Sequence, residues 1–491
     1  ISLEAAPYFA AGRLRQRIFG SNYRQEWTTP VKVAVLSIKD FNGGLHPTKR
    51  GGGMQSRSLR LEDSSGREYV LRSIEKYPDK TLPEELRQTF VKDAIVDGIS
   101  ASYPYAALSV PPLAKAARIP HTKPSLIFLP DDPALGQYRV DFGNKLYLFE
   151  PREPDGLAKT YSTDKVIEAL GKDNDNLIDQ QAVLKARLLD MFIMDFDRHD
   201  DQWRWGSRNT KEGRIYFPIP RDRDQAFFTN RGWIPWLVSR SWLLPKFQGF
   251  NVQAENINRF NYNARYFDRS FLNRTNRADW EKLSNQLVQE ISDAVIDSAL
   301  AAQPIELQSL QATIISATLK KRKQFFVDEV LKYQSFLHKT IDIAGSNKKE
   351  WFELEWKKKG DLKLTIFDIN KEGKPSDKLS EQRIDPSVTR ELRLYGLKGS
   401  DVFHISGEMP KYFTIRIISG EGNDSLVLDQ SGNRPSRIKW YDIEQEANQQ
   451  TGTGKLQKKF SRLPAVHNYD RKSFHYNITT PLLLATYNRD D

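Results

Sequence analysis

Cysteine is missing from all 491 residues. Disulfides, thiolate zinc sites and a cysteine nucleophile are therefore excluded, and complete absence in so long a chain favours a bacterial envelope protein that avoids stray oxidation. Long apolar runs are missing as well. The stretch 188–194 is broken by Asp190, whereas a membrane helix needs about 18 to 20 apolar residues. The opening ISLEAAPYFAAGRL shows no basic segment followed by an apolar run and a cleavage site. A start at Ile1 and a stop at Asp491 without a capped element read as a segment of a longer chain.

What is present is globular in composition. Hydrophobic residues make up 39% and charged residues 28%, too apolar for a disordered chain, and the length predicts about three domains at roughly 150 residues each. Lysine and arginine number 74 against 63 acidic residues, a net charge of +11. That sign favours anionic partners such as phosphate-bearing ligands or lipid headgroups; spread over the whole chain, it also describes an ordinary soluble basic surface. No recognisable nucleic-acid motif accompanies it, so no nucleic-acid partner is expected.

A valine-rich strand is expected over 31–38, then a β-hairpin made of LRL, the turn Asp63-Ser64-Ser65-Gly66 and EYVLRSIEK, entered through Gly51, Gly52 and Gly53. A helix begins near Leu82-Pro83-Glu84-Glu85, with proline in its first turn, and runs to about residue 102. Short strands follow at 126–129, 139–142 and 145–149, so residues 1–150 read as a β-rich lobe with one long helix. Residues 151–345 turn mostly helical. Apolar residues from Val183 to Phe192 surround their helix almost completely, which marks it as buried. The strand 215–220 is interrupted by prolines and belongs near an edge or end, and three helices are expected over 280–301, 305–318 and 321–341. From residue 346 the segments WFELEW, LKLTIF, ELRLYG, FTIRIIS and SLVLD alternate between turns rich in Gly, Asn and Asp, an all-β domain to residue 432. Residues 433–491 lack clean periodicity and read as a linker.

Chemistry concentrates where the buried helix ends. Asp195, Asp197, Arg198, His199, Asp200, Asp201 and Gln202 follow it directly, and Asp222 and Asp224 stand at the end of a later strand. Unpaired buried carboxylates cost several kcal/mol, so both acidic clusters need a divalent metal, solvent, or salt bridges to Arg187, Arg198, Arg221 and Arg223. An oxygen-rich set of this kind suits Mg2+ or Mn2+ over zinc. His199 reads as a hydrogen-bonded loop organiser, since no second His stands at metal spacing. Trp203, Trp205, Trp233, Trp236 and Trp242 either build a ligand platform or, the commoner use, pack a core or interface.

The run Asp197-Arg198-His199-Asp200-Asp201-Gln202 resembles the DRHxxN catalytic loop of phosphoinositide kinases and, more loosely, the loops of HipA-type and CotH-type kinases. The resemblance implies that Asp197 orients the attacking hydroxyl or accepts its proton, and that Gln202 takes the place of the metal-binding Asn. Asp222-Arg223-Asp224-Gln225-Ala226-Phe227 looks like the metal-binding segment of these families, so that Asp222 or Asp224 would hold Mg2+ or Mn2+ across the β- and γ-phosphates of ATP. Gly51, Gly52 and Gly53 would let backbone N–H groups approach phosphates, or form only a turn. Arg72 with Lys76 would anchor the phosphates, with Glu85, Asp93 or Asp97 as the helical partner. The implied fold class is α+β: a two-lobed protein-kinase-like fold followed by the all-β domain and the linker. Gln202 stands where the pattern has Asn, moving the amide by roughly 1.5 Å, and Arg72 stands where it has Lys. These departures open an alternative, a catalytically degenerate pseudokinase acting as scaffold or interaction module.

A wider resemblance covers GGGMQSRSLRLEDSSGREYVLRSIEK, LPDDPALGQYRVDF, ARLLDMFIMDFDRHDDQWRW and PIPRDRDQAFF. Together they look like the region of BamA/TamA-type bacterial outer-membrane surface antigens between a calcineurin-like metallophosphoesterase domain and the membrane barrel. The closing TPLLLATYNRDD is similar to the entry into that barrel's first strand; repeated transmembrane strands of about 9 to 11 residues are not in the sequence. The resemblance implies a periplasmic or surface location at the outer membrane. Its partners would be a β-barrel of the same or an associated chain and envelope assembly proteins. In the β domain, Gly399-Ser400-Asp401-Val402-Phe403 and Gly420-Glu421-Gly422-Asn423-Asp424-Ser425-Leu426 each resemble one turn of a calcium-binding β-roll. They are not in nine-residue tandem, which argues against stacked Ca2+ sites and for ordinary Asp-Gly turns.

Overall fold

The computed structural model describes residues 1–52, 56–77, 95–154, 156–157, 159–211, 213–240, 245–357, 360–429, 437–452 and 456–472. Period-two burial makes the first lobe: Leu59, Leu61, Tyr69 and Leu71 turn inward to meet Ile127, Leu129, Tyr147 and Phe149. The hairpin turn is closed by Asp63 Oδ1, which accepts from the N–H groups of Ser65 and Arg67. Across this sheet lie Leu45–Gly51, Ser56–Asp63, Glu68–Lys76, Lys145–Pro151, Ser125–Leu129 and, at the far edge, Ala34–Val35. Counted in chain order from Leu45, the first five run first, second, third, fifth, fourth, every neighbouring pair antiparallel.

Most of the helix expected over 82–102 falls outside the described residues; 95–98 are helical and Ile99–Ala101 form a 3-10 turn. Two expectations for this lobe are corrected. The strand at 31–38 is two short pieces, Val31–Lys32 and Ala34–Val35, in different sheets, because the Val33 N–H turns aside to the Ile1 carbonyl. Residues 139–142 form a helical turn, Arg139–Phe142, rather than a strand. Phe142 is buried while Val140 is 94% exposed, so their alternation marks no sheet face.

In the second lobe the helix Gln180–Phe192 is capped by Asp179 and buried from Val183 onward except at Lys185. It delivers the acidic loop, and the loop enters a hairpin of Trp203–Asn209 with Arg214–Pro220. Arg214–Pro220 is an inner strand of a four-stranded sheet, but its parallel partner Asn176–Ile178 stops at Tyr216. Its prolines therefore sit where no N–H is asked for on that side. The helix expected over 280–301 is two, Arg277–Glu290 and Asp293–Ala301, separated where Ser292 caps the second. Thr313–Arg322 and Phe326–Leu337 follow. The third expected helix ends early, because Thr340–Ala344 is a strand of the next region. The two lobes form a two-lobed α+β fold with one core shared between the lobes and a second on the other face of the first lobe's sheet, and no described helix is long and apolar enough to cross a membrane.

The all-β region is a parallel stack of rungs. One sheet runs Thr340–Ala344, Glu391–Tyr395, Thr414–Ile418, Ile438–Ile443 and Gln457–Ser461, all parallel. The facing sheet stacks Glu350–Trp356, Val402–Ser406, Ser425–Leu428 and Gln449–Thr451 in parallel, with Leu362–Ile369 and Pro375–Ile384 added antiparallel at one edge. Leu392, Ile415 and Ile438 pair in register at steps of 23 residues, and their side chains fill the space between the sheets with Phe403 and Leu426. Strands thus continue to Ser461, and the helix Pro464–His467 follows, where the sequence reading places a linker from residue 433.

Candidate active site

Arg72 and Lys76 stand four residues apart on one strand and share a face. Lys76 pairs with Asp224 and also donates to Ser56 Oγ at 2.8 Å. Arg72 Nη1 lies 3.3 Å from Asp222 Oδ2, and its Nε donates to Glu150 Oε1 at 3.3 Å. The segment Arg221-Asp222-Arg223-Asp224 sends alternate side chains to opposite sides. The acids face the strand cations, whereas Arg221 donates to Glu150 at 2.9 Å and Arg223 to Asp190 at 2.8 Å. Asp222 has φ 55, a left-handed conformation that Asp tolerates better than most residues. Of the alternatives the sequence leaves open for the acidic clusters (a divalent metal, solvent, or salt bridges to Arg187, Arg198, Arg221 and Arg223), none names the ion-pair partners these two acids have, Arg72 and Lys76.

The loop after the buried helix hangs on Asp190, fully buried, which accepts from Arg187 (3.1 Å), Arg198 (3.1 Å) and Arg223 (2.8 Å). Arg198 reaches on to the carbonyls of Arg221 (2.7 Å) and Gln202 (3.3 Å). One guanidinium therefore ties the acidic loop to the Asp222 segment. Asp195 Oδ1 accepts from the Asp197 N–H at 3.0 Å, and Asn263 Nδ2 donates to Asp197 Oδ1 at 2.7 Å. His199 Nδ1 accepts from the Asp201 N–H, which places it as an organiser of the turn Asp200–Gln202.

Burial and charge pull these groups apart. Burial alone would raise Asp222, but Arg72, Lys76, Arg198 and Arg221 hold it below the usual carboxylate value. Asp224 goes the other way: burial, with Asp222 and Asp197 nearby, outweighs Lys76 and raises it. Burial disfavours charge on Arg72 and Lys76, yet the facing carboxylates leave both more strongly protonated than usual. Asp195 is pushed up to about 8 by burial, against the pull of Arg198 and with Asp190, Asp224 and Asp197 adding to the rise.

The structure thus gathers Arg72, Lys76, Asp222 and Asp224, and the charge of Asp197 acts on both Lys76 and Asp224. Gly51 ends its strand and Gly52, at φ 97, turns so tightly that a Cβ would lie 2.1 Å from Ser56 O. Gly53, Glu85, Asp93 and Trp242 lie outside the described residues. Asp97 pairs with Arg15 and Arg24 and is not the partner of Lys76. Gln202 enters through its backbone, donating to His199 O and accepting from Arg221 N. Trp203 and Trp205 are buried against Phe267, while Trp233 and Trp236 are exposed on a short helix; the described four form no common platform. Sequence reading missed Glu150, Lys246 and Asn263. A lone acid closing the apolar run 146–149 signals Glu150, whereas no spacing signals the other two. A cavity of about 610 Å3 opens beside Glu68, Arg152 and Glu153, and Arg152 borders the network because its carbonyl accepts from Arg221.

Two carboxylates, Asp222 and Asp224, fit what Mg2+ takes from a protein when substrate phosphates and water supply its other ligands. Among the described residues no group of three or more His, Asp or Glu side chains forms an all-protein metal cage. No protein-family model and no curated protein matches the chain. Similar solved structures include a proinflammatory kinase, CtkA, of Helicobacter pylori, with TM-score 0.33 and 12% identity over 62% of this chain and 98% of that one. Another is the Rio2 kinase of Chaetomium thermophilum in an ADP/Mg2+-phosphoaspartate complex, with TM-score 0.29 and 12% identity over 57% and 71%. A third is the amicoumacin kinase hAmiN in complex with AMP-PNP, Ca2+ and Ami, with TM-score 0.19 and 11% identity over 60% and 90%.

Proposed function

We propose that the cleft between the lobes carries out Mg2+- or Mn2+-dependent phosphoryl transfer from ATP, in the kinase-like part of an outer-membrane barrel protein. The observation that supports it best is the meeting of Arg72 and Lys76 with Asp222 and Asp224 beside the loop that carries Asp197. Asp197 accepts the acceptor hydroxyl's proton as that oxygen bonds the γ-phosphorus. The bond from phosphorus to the β–γ bridging oxygen breaks, and the departing diphosphate keeps the electron pair. When bound, the divalent ion neutralises β- and γ-phosphate charge; Asp222 and Asp224 would hold it, with Gln202 as the amide the motif assigns. Arg72 and Lys76 are then free to exchange their carboxylates for phosphates, and Gly51 and Gly52 let the backbone come close. Placement at the outer membrane rests on the motif resemblance alone, and fractionation of cells making the full chain tests it; recovery away from the outer membrane removes that part.

The second reading, a pseudokinase scaffold for envelope assembly, draws on the same ion pairs, because both acids are already neutralised by cations of the chain. A thermal-shift titration with ATP and Mg2+ or Mn2+, on the native chain and on Asp222→Ala, separates the two. Ligand at about a hundred times its Kd adds about 2.7 kcal/mol. A metal-dependent shift lost in the variant is expected; no shift in the native chain would favour the scaffold.

A further inference from the structure

Lys246 is a cation in an unusual position. Its Nζ donates to Asn263 Oδ1 at 3.1 Å, and Asn263 Nδ2 donates to Asp197 Oδ1 at 2.7 Å. Among the described residues no carboxylate lies within ion-pair distance of it. Asn263 is therefore a spacer, its carbonyl on the ammonium and its NH2 on the carboxylate. Asp197 keeps Oδ2 free of that contact, 3.9 Å from His199 Nε2. An ammonium has three donors, so Lys246 keeps two for another acceptor.

Aromatic packing anchors this position. Lys246 sits in the short turn Pro245–Phe247. Phe247 wedges between Phe196, one residue before Asp197, and Phe228, beyond the Asp222 segment, at 5.2 and 6.0 Å between ring centroids. The ammonium thus approaches Asp197 from the helical lobe, while Lys76 approaches the same carboxylate's field from the strand lobe. Burial makes the Lys246 charge costly, Arg265 adds to that cost, and Asp197 only partly offsets it. An arriving anion would relieve it.

Resting on the phosphotransfer reading, we propose that Lys246 is a terminal-phosphate-binding residue of the cleft, contributed by the loop after the metal segment and spaced from Asp197 by Asn263. Charge in phosphoryl transfer spreads over the equatorial oxygens of the moving group, and a fixed cation beside the base meets it without having to reorganise. Asn263 is a positioning residue.

The test compares ADP with AMP-PNP, each with Mg2+, by calorimetry on the native chain and on Lys246→Ala, Lys246→Arg and Asn263→Ala, with circular dichroism to check folding. The native chain is expected to bind AMP-PNP more tightly than ADP. Lys246→Ala should lose about tenfold or more for AMP-PNP, the scale of one charged hydrogen bond, with ADP little changed, and Lys246→Arg should restore most of it. Asn263→Ala should reduce the same discrimination. Equal losses for both nucleotides, or intact discrimination in Lys246→Ala, would overturn the assignment while leaving phosphotransfer standing. A native chain that binds neither nucleotide removes both.

Discussion

Asp195 and Asp190 lie five residues apart, both fully buried, yet they are handled in opposite ways. Three guanidinium groups hold Asp190 ionised below the usual carboxylate range despite burial, whereas among the described residues Asp195 has one cation within ion-pair distance, Arg198, at 3.9 Å. Its carboxyl, pushed up to about 8 by burial, is protonated at neutral pH. An unfolded aspartate loses its proton near pH 4, so between about pH 4 and 8 the native state holds a proton that the unfolded state has lost. Stability from this group therefore falls as pH rises through that window and levels off above it. Asp195→Asn, which copies the neutral form, should remove that part of the decline; urea unfolding of both proteins across pH 4 to 9 measures it, and parallel curves would count against a protonated Asp195. An acidic cluster beside arginines was legible in the sequence. Which acid stays charged was not, because that depends on which guanidinium groups the helix and the Asp222 segment bring within 3 Å or so.

At the scale of elements, the β region stands on a ladder of side chains. The Glu350 N–H donates to Asp401 Oδ1, the Asp401 N–H to Asp424 Oδ1 and the Asp424 N–H to Asn448 Oδ1, at 2.7 to 2.8 Å. Each rung's acid thus caps the backbone of the rung before it. The two turns singled out in the sequence are consecutive rungs of this stack. Their repeat is 23 residues, visible in ELRLYGLKGSD against TIRIISGEGND, and a search for nine-residue tandems passes over it. Burial also pushes Asp424 up to about 8, and Asn448 shows that a neutral amide serves at that place in the stack. Asp424→Asn should match the native chain only below about pH 4, where the unfolded aspartate is also protonated, and melt higher than it near pH 9. Asp424→Ala, which leaves the Asp401 N–H unpaired, should be about 1–3 kcal/mol less stable than Asp424→Asn at any pH. Equal melting of all three at pH 9 would remove the ladder's role. The misread helices have a local cause: apolar residues at 280–301 and 321–341 keep helical spacing across the Ser292 cap and into Thr340–Ala344, where pairing with Glu391–Tyr395 decides for a strand.

Across the whole molecule, the end of the β stack returns to the acidic loop. Val466 and Tyr469 pack on Tyr395, Ile418 and Tyr441, and Arg471 pairs with Asp200 while its Nη1 donates to Ser270 at 3.4 Å. The β stack and the second lobe are thereby closed on each other beside Asp197. Arg471→Ala should speed amide exchange over residues 197–202 while leaving the strands of the first lobe unchanged, since the loop loses its ion-pair partner and, among the described residues, the first lobe loses none. Unchanged loop exchange would mean the pair carries no weight.

By itself the sequence determined the order of parts: glycine-bearing hairpin, buried helix, acidic loop, paired acids, then strands. Short-range periodicity, turn residues and motif spacing are local properties, written within a few residues of where they act. Tertiary structure alone decided that Lys76 meets Asp224, that Arg221 turns to Glu150, and that Lys246 and Asn263 arrive at Asp197. It also decided that strands after residue 433 belong to the stack. Those contacts join residues far apart in the chain, and no local pattern encodes a pairing that only the packing of two lobes and a solenoid of rungs brings within hydrogen-bond distance.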